Sequence, residues 1–198
     1  VAAQRDSEVE DPRPSDLYSI GTQVVLGRPL RMPDGMINVL AQGRQRVEIV
    51  EYVQWEPFIR VRARPLPEMA VAATDLDLEG LMRTVLTLFG KVVSLSRTLP
   101  EDMYIFAMNI EEPGWLADLV ASALRLELPV RQELLEILDP VLRLRRVSVL
   151  LAKELDLLEL EDQIHSTVQE QVDRSQREYF LREQMKAIQT ELGEGDLF

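Results

Sequence analysis

Cysteine is absent from the 198 residues, which excludes disulfides, zinc-thiolate sites and cysteine nucleophiles from this stretch of chain. That absence suits a reducing compartment, and the cytoplasm is the expected location. Histidine occurs once, at His165, and lysine only at Lys91, Lys153 and Lys186, against nineteen arginines. No run of 18 apolar residues occurs, and no charged start leads into a short apolar segment, so neither a membrane span nor a secretion signal is read. Glycine and proline are missing from the 52 residues 141–192, which allows a helix of about 78 Å at 1.5 Å per residue.

What is present is ordinary for a folded domain: 46% hydrophobic and 28% charged residues. The net charge of −12 is unevenly spread, because residues 20–65 hold seven arginines against Asp34, Glu48, Glu51 and Glu56. An acidic chain with one mildly basic section weighs against nucleic acid as a partner, since phosphate binding needs a basic surface.

Two periods organise the chain. Residues 1–16 read as a strand end followed by a surface loop. Residues 20–65 then form short apolar runs broken by turns, with Pro33-Asp34-Gly35 as a reversal and Gly43 as a second interruption. Ile59, Val61 and Ala63 alternate with Arg60, Arg62 and Arg64, the period of a half-buried strand with arginines on its wet face. The expectation is an antiparallel β-meander.

From Thr74, a capping candidate, the period becomes helical, with Pro113 at a plausible helix start and short connections that suit a bundle. Residues 141–160 hold 12 apolar side chains and belong in the bundle core. A break is expected near residues 155–161, where the stripe is lost. Between Gln169 and Glu178 only Val172 is apolar, so this helix must cross solvent as a stalk. Beyond it lie the pair Tyr179-Phe180 and a stripe at Leu181, Met185, Ile188 and Leu192, spaced 4, 3 and 4 on one helix face. These six residues are the expected docking surface for a partner outside this chain, which is therefore expected to continue beyond Phe198. Left uncovered, they favour self-association.

Catalytic patterns fail one by one. His165 has no acidic partner pattern around it. A phosphate loop needs G-x-x-x-x-G-K-[ST], and in "VLTLFGKV" Val85 replaces the first glycine and Val92 the hydroxyl. Lys91 and Ser94 could form a dyad only if the lysine were desolvated and the serine held on a strained turn. Glu101-Asp102 and Glu111-Glu112 sit at helix starts, where the helix dipole explains them. Met32, Met36, Met69 and Met82 offer adaptable contact surface, although core filling is the commoner role. No catalytic, cofactor or metal residue is assigned.

The closing stretch "SQREYFLREQMKAIQTELGEGD" resembles the signature that ends the amino-terminal region of Lon proteases, with Phe180 where a second tyrosine is common. The similarity extends upstream through "EEPGWLADLVASAL" and "MPDGMINVLAQGRQRVEI" to "VAAQRDSEVEDPRPSDLYSIGT". The resemblance implies an α+β fold: a partial PUA-like antiparallel β-lobe over residues 1–66, a helical bundle over 67–160, and a long stalk helix over 161–198. Family members carry further strands and a helix before the position of Val1, so the sheet is expected to be incomplete. ATP and Mg2+ would serve an ATPase module, and a serine-lysine pair a protease domain, both outside this chain. The implied role is capture of unfolded or damaged proteins by a head carried above a homohexamer. The alternative is a free-standing protein-interaction module, against which the stalk counts.

Overall fold

The turn at Pro33-Asp34-Gly35 organises the first lobe. In a computed structural model, which describes residues 1–71 and 76–191, Gly35 adopts φ +86°, a conformation that glycine takes without strain. The Met32 N–H donates to the Met36 carbonyl at 2.8 Å, and Asp34 Oδ1 accepts from the Met36 N–H at 3.0 Å. Strands β1 (Ile20–Arg31) and β2 (Ile37–Gln54) run back from this turn, and β3 (Arg60–Leu66) pairs with the far side of β2. The sheet order β1-β2-β3 is the antiparallel meander that the period predicts.

Two details differ from expectation. Gly43 does not interrupt the strand: β2 runs through it, and Gln45 faces Gln23 while Gly43 faces Val24. Arg44 is therefore an extra residue without a partner on β1, a bulge that takes up the irregularity within the ladder. The second difference concerns β3. Its arginines do line one face, where Arg62 pairs with Glu51 at 2.6 Å and Arg64 pairs with Glu48. The opposite face is not half-buried, however, since Val61 and Ala63 are exposed: no second layer among the described residues covers them.

The helices follow from the change of period. They are α1 (Leu76–Leu95), α2 (Glu101–Met108), α3 (Pro113–Ala123), α4 (Leu128–Glu136) and α5 (Pro140–Glu191). Pro113 stands at the start of α3, where its missing N–H costs nothing. Thr74, the expected cap of α1, lies outside the described residues. Val85, Phe89 and Val92 on α1 meet Leu116 and Val120 on α3 and Leu144, Val147 and Leu151 on α5, forming one buried core.

The break expected near residues 155–161 does not occur, because α5 is one helix of 52 residues. Leu155 is its last buried side chain, and Leu158 still packs partly against the core. Loss of the stripe there marks the end of a packing surface. The backbone hydrogen-bond ladder continues because leucine, glutamate and glutamine are good helix formers and no proline intervenes. From Asp156 to Glu191 every side chain except Leu158 is exposed, a length of about 54 Å.

Gly114 in the first turn of α3 sits where three elements converge. A Cβ there would collide with Glu68 Oε2 and lie 2.9 Å from Arg143 Nη2. Gly114→Ala is expected to lower stability by about 1–3 kcal/mol, as overpacking does, and to reduce the melting temperature by roughly 2–12 °C. Thermal unfolding followed by far-UV circular dichroism would measure it.

Candidate functional site

The described residues contain no group of three or more His, Asp or Glu that could hold a metal ion. Gly90 and Lys91 lie within α1, far from the strand-to-helix turn that a phosphate loop requires. Ser94 and Lys91 are both exposed, and the serine hydroxyl donates to the Lys91 carbonyl at 2.8 Å rather than meeting the amine. His165 is exposed on α5. Glu101 and Asp102 occupy the first turn of α2, and Glu112 precedes α3. What the fold builds instead are a charged junction, a groove beside it, and exposed apolar surface.

The junction joins the sheet to the helices through two arginines and two carboxylates. Arg143, in the first turn of α5, is fully buried. It pairs with Glu68 in the β3–α1 connection and with Asp118 on α3 at 3.3 Å, and it donates to the Ile137 carbonyl at 3.2 Å. Arg46 on β2 approaches the same two carboxylates, Glu68 at 2.8 Å and Asp118 at 2.7 and 2.9 Å, and donates to the Leu135 carbonyl at 2.9 Å. Gln132, also buried, bonds the Ile20 carbonyl of β1 at 3.0 Å. Sheet, connector, α3, α4 and α5 are thus tied at one place.

Beside this junction a groove of about 560 Å³ runs between β2 and the helices α3 and α4. Arg44, Arg46, Trp115, Asp118, Arg131 and Leu135 line it. Trp115 is half-exposed and packs edge-to-face with Phe106, with ring centroids 5.7 Å apart.

Exposed apolar side chains include three groups of note. On the β1–β2 hairpin Leu26, Leu30, Met36, Ile37 and Leu40 are all uncovered, Leu40 at 79%. On α2 and α3 Ile105, Met108 and Trp115 stand out. Along α5, Leu157, Leu160, Ile164, Val168 and Val172 follow one side of the helix at spacings of 3, 4, 4 and 4.

The sequence-predicted docking residues Tyr179, Phe180, Leu181, Met185 and Ile188 lie on the exposed end of α5, and Leu192 lies outside the described residues. Leu181 follows Val172 by nine residues, which is two and a half turns, so it points away from the first line. Of the four methionines that the sequence offers as contact surface, Met32, Met36 and Met69 are exposed, while Met82 packs against the core. Sequence reasoning missed Arg44, Arg46, Trp115 and Arg143. Only the arginine richness of residues 20–65 hinted at the first two.

Residues 1–153 match the family described as the ATP-dependent protease La (LON) substrate-binding domain. The chain is 48% identical over 197 residues to Lon protease 2 of Herpetosiphon aurantiacus and 46% identical over 197 residues to the Lon protease of Koribacter versatilis, covering 99% of this chain in each case. It spans 24% of the length of these relatives. Among solved structures, the N-terminal domain of a Mycobacterium avium complex Lon protease shares the fold, with a TM-score of 0.56 at 20% identity over 75% of this chain and 74% of that one.

Removing either carboxylate of the junction leaves a buried guanidinium short of a partner, the costly case for buried ions. Asp118→Asn and Glu68→Gln are each expected to cost about 3 kcal/mol, at the low end of the usual range because both carboxylates are partly exposed. Urea denaturation would read this as a lower midpoint with unchanged far-UV signal before the transition.

Proposed function

Because the chain belongs to the Lon substrate-binding domain family, we propose that it captures exposed apolar segments of misfolded or regulatory proteins for an ATP-dependent protease in the cytoplasm, and that its long helix helps to organise a hexamer. The observation that carries the first part is the β1–β2 hairpin, where four large apolar side chains, Leu26, Leu30, Ile37 and Leu40, stand exposed on two adjoining strands. The register puts Leu30 and Leu40 on one face of this ribbon and Leu26 and Ile37 on the other, so both faces present more apolar surface than the isolated residues normal on a protein, and such surface marks an interaction site. Apolar contact is non-directional, which suits a receptor that must accept many sequences. Met32 and Met36, flanking the hairpin turn, add side chains that adapt to different shapes.

In this reading residues 1–66 and 67–160 form the head and residues 161–198 the stalk. ATP and Mg2+ act in a module beyond this region. The two apolar sides of α5 serve two partners: the line from Leu157 to Val172 meets a neighbouring subunit, while Leu181, Met185 and Ile188 dock onto the module that follows. Tyr179 and Phe180 stand at the change-over. Weak capture by one head becomes useful when six heads share a ring.

Replacing Leu26 and Leu40 by serine tests the capture surface. Both are exposed, so the fold is retained, and affinity for reduced, carboxymethylated α-lactalbumin is expected to fall about tenfold in fluorescence anisotropy. Unchanged affinity would refute the hairpin as the capture surface. Ile164→Ser with Val168→Ser tests the helix. Sedimentation across a concentration series should show weaker self-association than in the unsubstituted chain, and equal association would assign that line no role between subunits.

A further inference from the structure

The groove between β2 and the helices carries features that apolar capture does not use. Arg44 and Arg131 both line it, and neither guanidinium has an ion-pair partner among the described residues. Arg44 reaches the groove because it is the bulged residue: the register shift between Gln23 and Val24 leaves it outside the ladder. Bulges re-aim side chains in this way. Arg131 comes from α4 on the other side. The remaining charges in the groove, Arg46 and Asp118, are held by the junction's ion pairs. Trp115, Ala121, Leu134 and Leu135 supply an apolar wall, and Thr22, Gln45 and Ser122 also line the groove. A second cavity of about 440 Å³ shares Arg44 and Trp115 but is lined by Glu68 and Glu112 as well, so the cationic character belongs to the first.

We propose that this groove binds a stretch of unfolded polypeptide carrying a carboxylate side chain next to an aromatic one, with Arg44 and Arg131 taking the carboxylate and Trp115 the ring. Charge complementarity selects the occupant. In a chain of net charge −12, two unpaired arginines facing one cavity are a local reversal of sign. The overall negative charge does not cancel it at physiological ionic strength, where the screening length is about 8 Å and only charges near the groove act. The apolar wall favours polypeptide over nucleic acid, which would want a longer run of cations. The groove would thus read composition where the hairpin does not. This proposal rests on the reading of the domain as a receptor for unfolded chains.

The test uses the whole 198-residue chain and two fluorescein-labelled peptides of equal length, one built on Phe-Glu repeats and one on Phe-Gln repeats in a Gly-Ser background. At about 0.15 M salt the glutamate peptide should bind roughly tenfold more tightly, falling to parity near 1 M as screening shortens. Arg44→Gln with Arg131→Gln, both exposed positions, should bring the two peptides to equal affinity. Leu26→Ser with Leu40→Ser should leave their ratio unchanged. Equal binding of the two peptides to the unsubstituted chain, or a preference that survives the arginine substitutions, would overturn the proposal. So would displacement of the glutamate peptide by an equal concentration of oligothymidylate, which would make the groove a general polyanion site. Reduced α-lactalbumin separates the two readings. If it binds while the peptides show no preference, only the groove assignment fails; if it does not bind either, the receptor reading falls with it.

Discussion

A guanidinium with no exposure to water has to find its solvation inside the protein, and the position of Arg143 makes that requirement organise the domain. Its nitrogens meet Glu68, Asp118 and the Ile137 carbonyl, three groups from separate parts of the chain. Each is placed by something else: Asp118 by α3, Ile137 by the end of α4, Glu68 by the connection from the sheet. The carboxylates also bind Arg46 of β2, so the ion cluster cannot be satisfied unless the sheet lies against the helices. Burying such a cluster contributes little net stability compared with apolar packing, because desolvation offsets the attraction. Its effect is on arrangement: misplacing any one element leaves a buried charge without a partner. Gly114 belongs to the same constraint, since any larger residue would push α3 off the carboxylate and guanidinium that meet there.

The groove is a consequence of that junction. Arg46 ties β2 to Asp118 of α3 and to the Leu135 carbonyl of α4, and the space left beside these contacts is the cavity that Arg44, Trp115 and Arg131 line. A rigid floor matters for binding, because groups already held in place lose little freedom when a ligand arrives. The hairpin's exposed leucines lie on a three-stranded ribbon without a covering layer among the described residues, and such a surface has more room to adapt. One surface is therefore preorganised and charged, the other pliable and apolar.

How much of this could be read from the chain depends on whether the signal is local. The meander was legible because Pro33-Asp34-Gly35 and the alternation of Val61 and Ala63 with arginines are short-range patterns. The helices were legible from Pro113 and from the change to a helical period after Thr74. Burial of β3 was not, because a period of two says only that the faces differ, while burial depends on what covers them. Gly43 looked like an interruption because the strand's continuity rests on a register set jointly with β1. That same register puts Arg44 into the groove, so its role was hidden for the same reason. Arg46, Asp118 and Arg143 are separated by 72 and 25 positions, and no local pattern links residues so far apart. The Lon resemblance supplied the family, while the junction and groove appear only in three dimensions.

The continuity of α5 bears on how the exposed part stays ordered. A helix that is polar on most sides gains nothing from tertiary packing, and an isolated one would pay the full cost of nucleation. Here the nucleus is already formed, because Leu144, Val147, Leu151 and Leu155 fix the first turns in the core. Each later residue needs only the favourable propagation step, helped by pairs such as Gln169 with Asp173, Arg174 with Glu178 and Glu183 with Lys186, worth a few tenths of a kcal/mol each. Order should thus decline with distance from Leu155, since the core lends no further support. The apolar line from Leu157 to Val172 covers the stretch where that decline begins. A partner lying along it would carry the packing outward, and with it the rigidity, so that α5 could hold the head at a set distance. The same helix carries Arg143 in its first turn. Its outer end is then mechanically continuous with the ion cluster that orients the sheet, and a displacement there reaches the groove through one rigid element.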